Sequence, residues 1–433
     1  MSDVTSYPTA ELHQVTRRIT DGSHFSPTPC EHGYLIANVK DMKSGEIDFS
    51  TCTRISPSAY RELRATGCTI KNGNVLLSKD GTVGRVVVYK QDTEIGALSS
   101  ICIIEPTDRL DAAFLGHALQ SEGCLGQYDN FLSGSALRRL VLRDIRSIKV
   151  PLPDSEHQRT IAQVLDTLDT AIHETEAIIA KLKAVKQGLL HDLLTRGIDA
   201  NGELRPPQAE APHLYKESPL GWIPKEWEFG ALQTWLAGKP RNGYSPREAG
   251  EWTGIQMLGL GCLTNEGFEH AQLKPAPRGD RRLATATLSD GDLLMSRSNT
   301  RDLVGLAGVY RDVGTPCTYP DLMMRLRPSP ETIGEFLQFV LRSPVVRRQI
   351  QAHAVGTSGS MVKISGKIVC ELASAMPRKQ EQERILSCLA AADSRLRAAI
   401  EEVSVLRDIK SALMDDLLTG RVRVTPLLED TAP

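Results

Sequence analysis

The stretch from Pro153 to Thr195 reads PDSEHQRTIAQVLDTLDTAIHETEAIIAKLKAVKQGLLHDLLT, and the stretch from Pro377 to Thr419 reads PRKQEQERILSCLAAADSRLRAAIEEVSVLRDIKSALMDDLLT. The two stretches align without a gap, so that Pro153 matches Pro377 and Thr195 matches Thr419, and both end in DLLT. A repeat at a fixed period indicates the architecture of a chain more directly than any single motif. The sequence therefore predicts a duplicated protein in which each half ends in the same long segment.

Both long segments carry apolar residues at alternating spacings of three and four, which is the pattern of a coiled-coil seam. The seam residues are Ile161, Leu165, Leu168, Ile172, Ile179, Leu182, Leu189 and Leu193 in the first segment, and Ile385, Leu389, Leu396, Val403, Leu406, Leu413 and Leu417 in the second. Two helices of about 40 residues, each roughly 60 Å long, are expected. Because the chain must return from the second globular block to reach its partner helix, we predict that the pair is antiparallel.

Lys186 and Lys410 both fall on the seam, at the same position of the repeat. One interpretation is a lysine that extends its ammonium past an apolar contact into solvent. The other is a polar contact that fixes the register of the two helices or the choice of partner. The sequence leaves both interpretations open.

A globular block of about 150 residues precedes each long segment, and the two blocks share short motifs in the same order. NGNVLLSKDGTVGRVVVY over 72–89 and DGDLLMSRSNTRDLVGLAGVY over 290–310 both predict a strand, a glycine-containing loop and a second strand. Further along, SGSALRRL begins at Ser133 and SGSMVKIS begins at Ser358. The blocks differ elsewhere, which is expected if one scaffold carries two different recognition surfaces.

We therefore predict an α/β (α+β) two-domain repeat with pseudo-two-fold symmetry, in which an antiparallel helix pair separates two globular domains. The predicted boundaries are a first domain over 1–152, a first long helix over 153–198, a linker over 199–217, a second domain over 218–376, a second long helix over 377–421 and a tail over 422–433.

Composition places few further limits on function. Hydrophobic residues make up 41% of the chain, and the absence of any long apolar run predicts a cytoplasmic protein without a membrane span. Nine cysteines are scattered singly, which favours free thiols over a disulfide framework or a metal site. The net charge of −2 gives no general sign of a nucleic-acid binder, which usually has a basic excess.

Motifs of the common reaction classes do not occur in the sequence. There is no GxxxxGK[ST] phosphate loop, no HExxH or GxSxG motif, and no Asn-Pro-Pro-aromatic motif of the kind used by amino-methyltransferases. We therefore predict a protein that has no catalytic residues and performs no catalysis itself.

Several segments resemble those of the specificity subunits of Type I restriction-modification systems. SPLGWIPKEW over 218–227 is similar to the entry of a target-recognition domain, and DGSH over 21–24 and GDLLMSR over 291–297 are similar to its internal segments. Their order, together with the repeated helices, is the specific part of the resemblance. The first block begins at Met1 without a counterpart of SPLGWIPKEW, so its first strand is expected to be shorter or differently supplied.

The resemblance implies a DNA-binding subunit in which each target-recognition domain reads one half of a bipartite site in double-stranded DNA. It also implies that the helices set the gap between the half-sites and bind two methyltransferase subunits, which restriction subunits then join. S-adenosylmethionine, ATP and Mg would belong to those partners, with no cofactor in this chain. Two alternatives are a coiled-coil adaptor protein and the specificity part of a single-chain restriction-methylation enzyme.

Basic and polar residues in the paired loops are the candidates for contacts with DNA, because lysine and arginine bind phosphates and arginine pairs with guanine. These residues are Lys79, Arg85, Arg138 and Arg139 in the first block, and Asn242, Tyr244, Arg297, Arg301 and Lys363 in the second. A solvated surface position is the alternative for each of them.

Overall fold

The computed structural model describes residues 6–43, 45–132, 139–246, 250–356 and 361–424. The chain divides into two compact units, the first comprising residues 1–178 and 399–433 and the second comprising residues 179–398. The division falls inside both long helices, so each unit contains one globular domain and one section of the helix pair. Among the described helices, none combines the length and apolarity that a bilayer crossing requires.

The domain of the first unit contains two four-stranded sheets and several short helices. Its strands are β1 (Thr9–Glu11), β2 (Thr16–Asp21), β3 (Pro29–Ala37), β4 (Thr53–Ile55), β5 (Thr69–Ile70), β6 (Val75–Ser78), β7 (Val86–Val88), β8 (Ile95–Ala97), β9 (Ile101–Pro106) and β10 (Lys149–Pro151). Its short helices are α1 (Leu12–Val15), α2 (Pro57–Ala65), α3 (Ala112–Ala118), α4 (Glu122–Leu132) and α5 (Leu142–Arg146), and the long helix α6 (Ser155–Thr195) follows.

The two sheets of the first unit have strand orders β2-β9-β6-β7 and β4-β3-β8-β5. The first sheet is antiparallel throughout. Its central strand β6 is buried along its whole length, because alternate residues enter different cores. Val75 and Leu77 pack in one hydrophobic cluster, and Leu76 packs in another on the opposite face. Burial on both faces explains why this strand is a continuous apolar run.

The domain of the second unit contains more and shorter strands. Its strands are β11 (Tyr215–Ser218), β12 (Gly221–Pro224), β13 (Glu228–Ala231), β14 (Arg241–Asn242), β15 (Gln256–Leu258), β16 (Leu263–Thr264), β17 (Gly267–Phe268), β18 (Leu273–Pro275), β19 (Leu293–Ser296), β20 (Ser298–Asn299), β21 (Ala307–Val309), β22 (Cys317–Thr318), β23 (Met323–Leu326), β24 (Val362–Lys363) and β25 (Ala373–Met376). Its helices are α7 (Gly334–Arg342), α8 (Pro344–His353) and α9 (Gly366–Glu371), and the long helix α10 (Lys379–Thr419) follows.

The sheet β14-β23-β19-β21 of the second unit repeats the order of β2-β9-β6-β7 in the first. The entry strands correspond as well, because β1 pairs with β10 and β13 pairs with β25 in the same antiparallel sense. β1 has 3 residues and β13 has 4, so the two entry strands are nearly equal in length. In the described part of the first unit, the hairpin β11–β12 has no counterpart. Tyr7 lies two residues before β1, as Trp227 lies one residue before β13, and both are buried.

The two long helices occupy equivalent positions of the repeat and have 41 residues each, as the sequence predicts. In the first unit, Ile161 and Leu165 share a hydrophobic core with Leu417. In the second unit, Leu193 shares a core with Ile385 and Leu389. Of the other predicted seam residues, Ile172 and Val403 are buried, and the half-buried ones are Leu168, Ile179, Leu182, Leu189, Leu396, Leu406 and Leu413.

Ion pairs between the helices confirm the antiparallel direction. In the first unit, Asp169 Oδ1 lies 2.6 Å from Lys410 Nζ, and Glu176 Oε1 lies 2.5 Å from Arg407 Nη2. Residue numbers therefore rise along α6 where they fall along α10, as in an antiparallel pair. In the second unit, Lys186 Nζ lies 2.6 Å from Asp393 Oδ1. This pair is the repeat equivalent of Asp169–Lys410, so the seam lysines form matched polar contacts that favour the register-fixing interpretation.

The Asp169–Lys410 pair provides a test of this interpretation. Asp169→Ala is expected to lower the free energy of unfolding by about 1 kcal/mol, and Lys410→Ala added to it is expected to cost little more. The measurement is a double-mutant cycle from urea unfolding curves. Glu174→Ala, at an exposed position of α6, is the control and should change stability by less than about 0.5 kcal/mol. Fully additive effects of the two changes would contradict a specific pair.

A buried glutamine connects each long helix to its own domain. Gln158 Nε2 donates to the carbonyl oxygens of Pro153 and Arg109 at 2.8 and 3.0 Å, and its Oε1 accepts from the backbone N–H of Asp111 at 2.7 Å. Gln382, at the equivalent position of the repeat, makes the same three kinds of hydrogen bond. Both side chains are almost completely buried, so each domain is held in one orientation on the first turn of its helix.

The first domain makes a second, charged contact with α6. Asp166 lies 2.8 Å from His117 Nε2 and 3.0 Å from Lys90 Nζ. These hydrogen bonds, chiefly the one from His117, lower the pKa of Asp166 to about 2 although partial burial opposes the shift. The equivalent of Asp166 in the repeat is Ala390, so this contact belongs to the first unit alone.

The shifted pKa predicts how this contact depends on pH. Because the folded pKa lies below the ordinary value of 3.8, the stabilisation is fully present above that value and is lost as the pH falls toward 2. The difference in the free energy of unfolding between wild type and Asp166→Asn should therefore shrink from about pH 6 to about pH 3. Urea titrations measure it, with Asp408→Asn as the exposed control. A difference that stays constant over this range would contradict the assignment.

Candidate nucleic-acid interface

The first domain brings four charged residues together near the ends of β2 and β6, the two strands that flank β9 in the sheet. Asp21 is the last residue of β2, and Lys79 follows β6. Lys79 Nζ lies 3.3 Å from Asp21 Oδ2 and 3.6 Å from Asp80 Oδ2, and Arg139 Nε lies 3.0 Å from Asp80 Oδ1. The two acidic and two basic side chains therefore neutralise one another. We call these four residues the first strand-end cluster.

The position of Lys79 does not fit its predicted role as a DNA contact. Its side chain is 1% exposed, and its ammonium is held between two carboxylates. A buried and paired ammonium is not available to a phosphate group. Arg139 is 48% exposed but shares Asp80. No sequence pattern indicates these pairs, because Asp21 reaches Lys79 only through the pairing of β2 and β6 with β9.

The second domain has the same backbone arrangement at this place. The N–H of Gly22 donates to Ile101 at 3.1 Å, and the N–H of Gly243 donates to Met323 at 3.1 Å. At both glycines a Cβ atom would overlap a backbone oxygen of the neighbouring segment, so only glycine fits. These contacts make Asn242, which precedes Gly243, the counterpart of Asp21.

Backbone hydrogen bonds also match the remaining positions. Leu140 N–H donates to the carbonyl of Lys79 at 2.9 Å, and Ile364 N–H donates to the carbonyl of Arg297 at 2.9 Å. Arg297 is therefore the counterpart of Lys79. Since Arg139 precedes Leu140 and Lys363 precedes Ile364, these two residues correspond as well.

Arg297 and Lys363 are placed differently from Lys79 and Arg139. The Arg297 side chain is half-buried, and its Nη1 donates to the carbonyl oxygen of Asp321 at 3.4 Å. Lys363 is exposed on β24, which pairs with β20. Within the described residues, no ion pair involves either cation. The structure thus brings these two predicted residues together on adjacent backbone segments.

The other predicted arginines lie at the surface. Arg85 is exposed directly before β7, and its Nη1 donates to the carbonyl of Met42 at 3.0 Å. Arg301 is exposed, and its Nη1 donates to the carbonyl of Gln351 at 2.6 Å. These bonds hold the guanidinium groups in place while leaving them in contact with solvent. Arg138 lies outside the described residues.

Tyr244 is engaged within the second domain. Its hydroxyl donates to Asp280 Oδ2 at 2.8 Å, and the guanidinium carbon of Arg282 lies 4.5 Å from its ring centroid. The hydrogen bond to Asp280 is the main reason that the pKa of Tyr244 is raised. One face of the ring is covered, so the predicted stacking role would use the opposite face or require Arg282 to move.

The two most exposed aromatic residues of the described chain were not singled out from the sequence. Phe25 is 70% exposed and directly follows the DGSH segment, and Trp252 is 59% exposed in the second domain. Large aromatic side chains at the surface provide platforms on which nucleic-acid bases stack. The only sequence signal for such a platform is an aromatic residue inside a polar segment, and without the fold this signal does not show that the side chain is exposed.

The cysteines show no arrangement for redox or metal chemistry. All nine are free, and burial raises the pKa of Cys124 and Cys317 to about 11, which keeps these thiols protonated. In the part of the chain that the structure describes, no group of three or more cysteine, histidine or acidic residues is placed to hold a metal ion.

Comparison with known proteins shows which family the chain is similar to. The sequence profile of the Type I restriction modification DNA specificity domain matches residues 34–184. The chain is 23% identical over 374 residues to the Type I restriction enzyme MjaVIII specificity subunit of Methanocaldococcus jannaschii. The aligned part covers 83% of this chain and 81% of the relative. Over most of its length, the chain is therefore similar to the specificity subunits of Type I restriction-modification systems.

A further relative and two solved structures are similar to this chain as well. The chain is 22% identical over 286 residues to the EcoKI specificity subunit of Escherichia coli K12, and the aligned part covers 66% of this chain and 59% of the relative. Its fold matches a solved chain from a study of complex assembly and conformational transition of a type I system, with a TM-score of 0.59, 17% identity and coverage of 96% and 98%. The S subunit from M. genitalium matches with a TM-score of 0.54, 15% identity and coverage of 96% and 97%.

Proposed function

We propose that this chain is a specificity subunit that reads a bipartite sequence in double-stranded DNA, with one domain for each half, and performs no catalysis itself. The observation that carries the proposal is the duplication: one backbone arrangement of sheet and strand-end loops occurs twice with different side chains. Bases are selected by side chains at the groove edges, while the supporting backbone only positions them. Two unlike sets of side chains on one scaffold therefore suit two unlike half-sites.

The long helices are proposed to set the number of unread base pairs between the half-sites. Each helix is unbroken over 41 residues, which corresponds to roughly 60 Å. One turn of B-DNA spans about 34 Å, so the two lengths are of the same order. Gln158 and Gln382 support this role, because each holds a domain on the first turn of its own helix.

The same helices are proposed to bind two methyltransferase subunits, which restriction subunits then join. Exposed apolar side chains lie along both helices and support this proposal; they are Ile178, Val185, Ile400, Val405 and Ile409, each 43–54% exposed. Val185 and Ile409 occupy equivalent positions of the repeat. Equivalent apolar positions suit two copies of one partner. S-adenosylmethionine, ATP and Mg are proposed to bind those partner subunits.

Co-expression in a methylation-free bacterial strain tests this function. The strain expresses the chain together with the methyltransferase subunit of its own system, and methyladenine is mapped over the genome. We expect methylation at one interrupted motif only when both proteins are present.

Strains that express either protein alone are the controls. An identical motif from the methyltransferase alone would contradict the role in specificity and favour the adaptor alternative. Methylation by the chain alone would contradict the absence of catalysis and favour the single-chain enzyme.

A further inference from the structure

The two domains carry different charges at the same four backbone positions. The residues are Asp21, Lys79, Asp80 and Arg139 in the first domain, and Asn242, Arg297, Ser298 and Lys363 in the second. The first set contains two acidic and two basic residues, whereas the second contains two basic residues and no acidic one. The summed formal charge of the four residues is therefore zero in the first domain and +2 in the second.

The fourth correspondence, between Asp80 and Ser298, also rests on backbone pairing. Asp80 forms an isolated antiparallel bridge with Arg139, and Ser298 pairs in the antiparallel sense with Lys363. The acidic residue that binds Arg139 in the first domain is thus replaced by a serine directly opposite Lys363. We call the four residues of the second domain the second strand-end cluster.

An acidic residue that contacts the second cluster does not replace the missing carboxylates. Asp321 accepts a hydrogen bond from Arg297 through its backbone carbonyl, and its Oδ1 accepts from Ser245 Oγ at 2.5 Å. Among the described residues, no carboxylate oxygen lies within 4.0 Å of Arg297 or Lys363. Within this part of the chain, neither positive charge is therefore balanced by an ion pair.

We propose that the second strand-end cluster binds the DNA phosphate backbone through Arg297 and Lys363, and that the first cluster does not. In the first domain the same positions are closed by internal ion pairs that hold the loops in shape. The second domain then supplies the larger electrostatic part of DNA affinity, and the first domain depends more on uncharged contacts. This inference rests on the proposed reading of DNA by both domains.

Salt dependence of binding measures the number of phosphate contacts directly. Each neutralised phosphate of B-DNA contributes about −0.9 to the slope of log K against log salt concentration, through release of bound counterions. A side chain that is already neutralised by a carboxylate contributes little to this slope. The two clusters therefore make different predictions for substitutions at matched positions.

The test uses the full chain in complex with its methyltransferase subunits and a duplex that carries the mapped target. Binding is measured by fluorescence anisotropy between about 50 and 200 mM salt. Arg297→Gln and Lys363→Gln are each expected to reduce the magnitude of the slope by about one. Arg139→Gln, the matched change in the first cluster, is expected to leave the slope unchanged.

A gain of charge in the first cluster gives a second, independent measurement. Asp80→Ser introduces the residue of the second domain and removes the carboxylate that binds Arg139, while Asp21 still pairs with Lys79. The magnitude of the slope is expected to rise by about one, provided that circular dichroism shows the variant folded. Asp92→Ser, at an exposed position of the same domain away from this cluster, is the control.

The outcomes separate this inference from the function on which it rests. Wild-type binding of the mapped target with equal slope changes for Arg139→Gln and Arg297→Gln would overturn the inference and leave the proposed function intact. Unchanged slopes for both Arg297→Gln and Lys363→Gln would overturn it as well. A wild-type complex that does not bind the duplex at about 50 mM salt would contradict the proposed function itself.

Discussion

Replacing Glu381 by alanine is expected to lower the free energy of unfolding of the second unit by about 3–5 kcal/mol, because the change leaves a buried cation without its main partner. Glu381 Oε1 accepts from Arg205 Nη1 at 2.6 Å, from Ile198 N–H at 3.0 Å and from Trp227 Nε1 at 3.0 Å. Its Oε2 accepts from Arg205 Nη2 at 3.1 Å. The Arg205 and Glu381 side chains are each only 6% exposed.

The buried Glu381 carboxylate also explains why a glycine stands at position 197, two residues after the end of α6. Gly197 has a φ of +64°, and a Cβ atom there would overlap Glu381 Oε1. The chain therefore turns out of α6 against the first turn of α10, within the second unit. Loss of the carboxylate would remove hydrogen bonds from Ile198 at the end of the helix, from Arg205 in the linker and from Trp227 before β13.

Urea unfolding followed by tryptophan fluorescence measures the effect of Glu381→Ala. Glu383→Ala, at an exposed position on the same helix, is the matched control and should cost less than about 0.5 kcal/mol. Glu381→Gln keeps one accepting oxygen and is expected to cost less than the alanine. A loss below about 1 kcal/mol for Glu381→Ala would contradict the assigned role of the buried pair.

Lengthening both long helices by one turn is expected to lengthen the gap in the DNA target and to leave both half-sites unchanged. Four residues inserted after Ala177 and four after Glu401, which are equivalent in the repeat, add about 6 Å to each helix. At about 3.4 Å per base pair, the expected increase is one or two base pairs. Methyladenine mapping measures the change.

Four residues inserted at Gly202 provide the control. Gly202 lies in an exposed turn of the linker, where nothing lies within 4 Å of the position that a Cβ atom would take. This insertion is expected to leave the gap unchanged. Altered half-sites after insertion into the helices would show that the helices do more than set a distance.

The repeated helices and their seam could be predicted from the sequence because their signal is local. A stripe of apolar residues with 3-4 spacing is complete within each segment, and the gapless alignment of the two segments locates both ends of both helices. The roles of Lys186 and Lys410 stayed open because their partners, Asp393 and Asp169, lie on the other helix. The two interpretations of these lysines can be distinguished only when the register of the two helices is known.

The strand-end clusters could not be predicted because they depend on contacts between distant residues. A basic residue in a loop looks the same whether or not a carboxylate lies beside it, and Lys79 meets Asp21 only after three strands have paired. Burial of Gln158 and Gln382 was hidden for the same reason, since glutamine is typical of exposed helix positions. Sequence patterns identified the loops, and the fold determined which side chains remain available.

Exchange of the second domain tests most directly whether each domain reads one half of the target. Residues 218–376 are replaced by the corresponding segment of another specificity subunit, and methyladenine is mapped in cells that also express the methyltransferase subunit. We expect one half-site to change to that of the donor, while the other half-site is retained. A change of both half-sites, or of neither, would contradict the reading of one half-site by each domain.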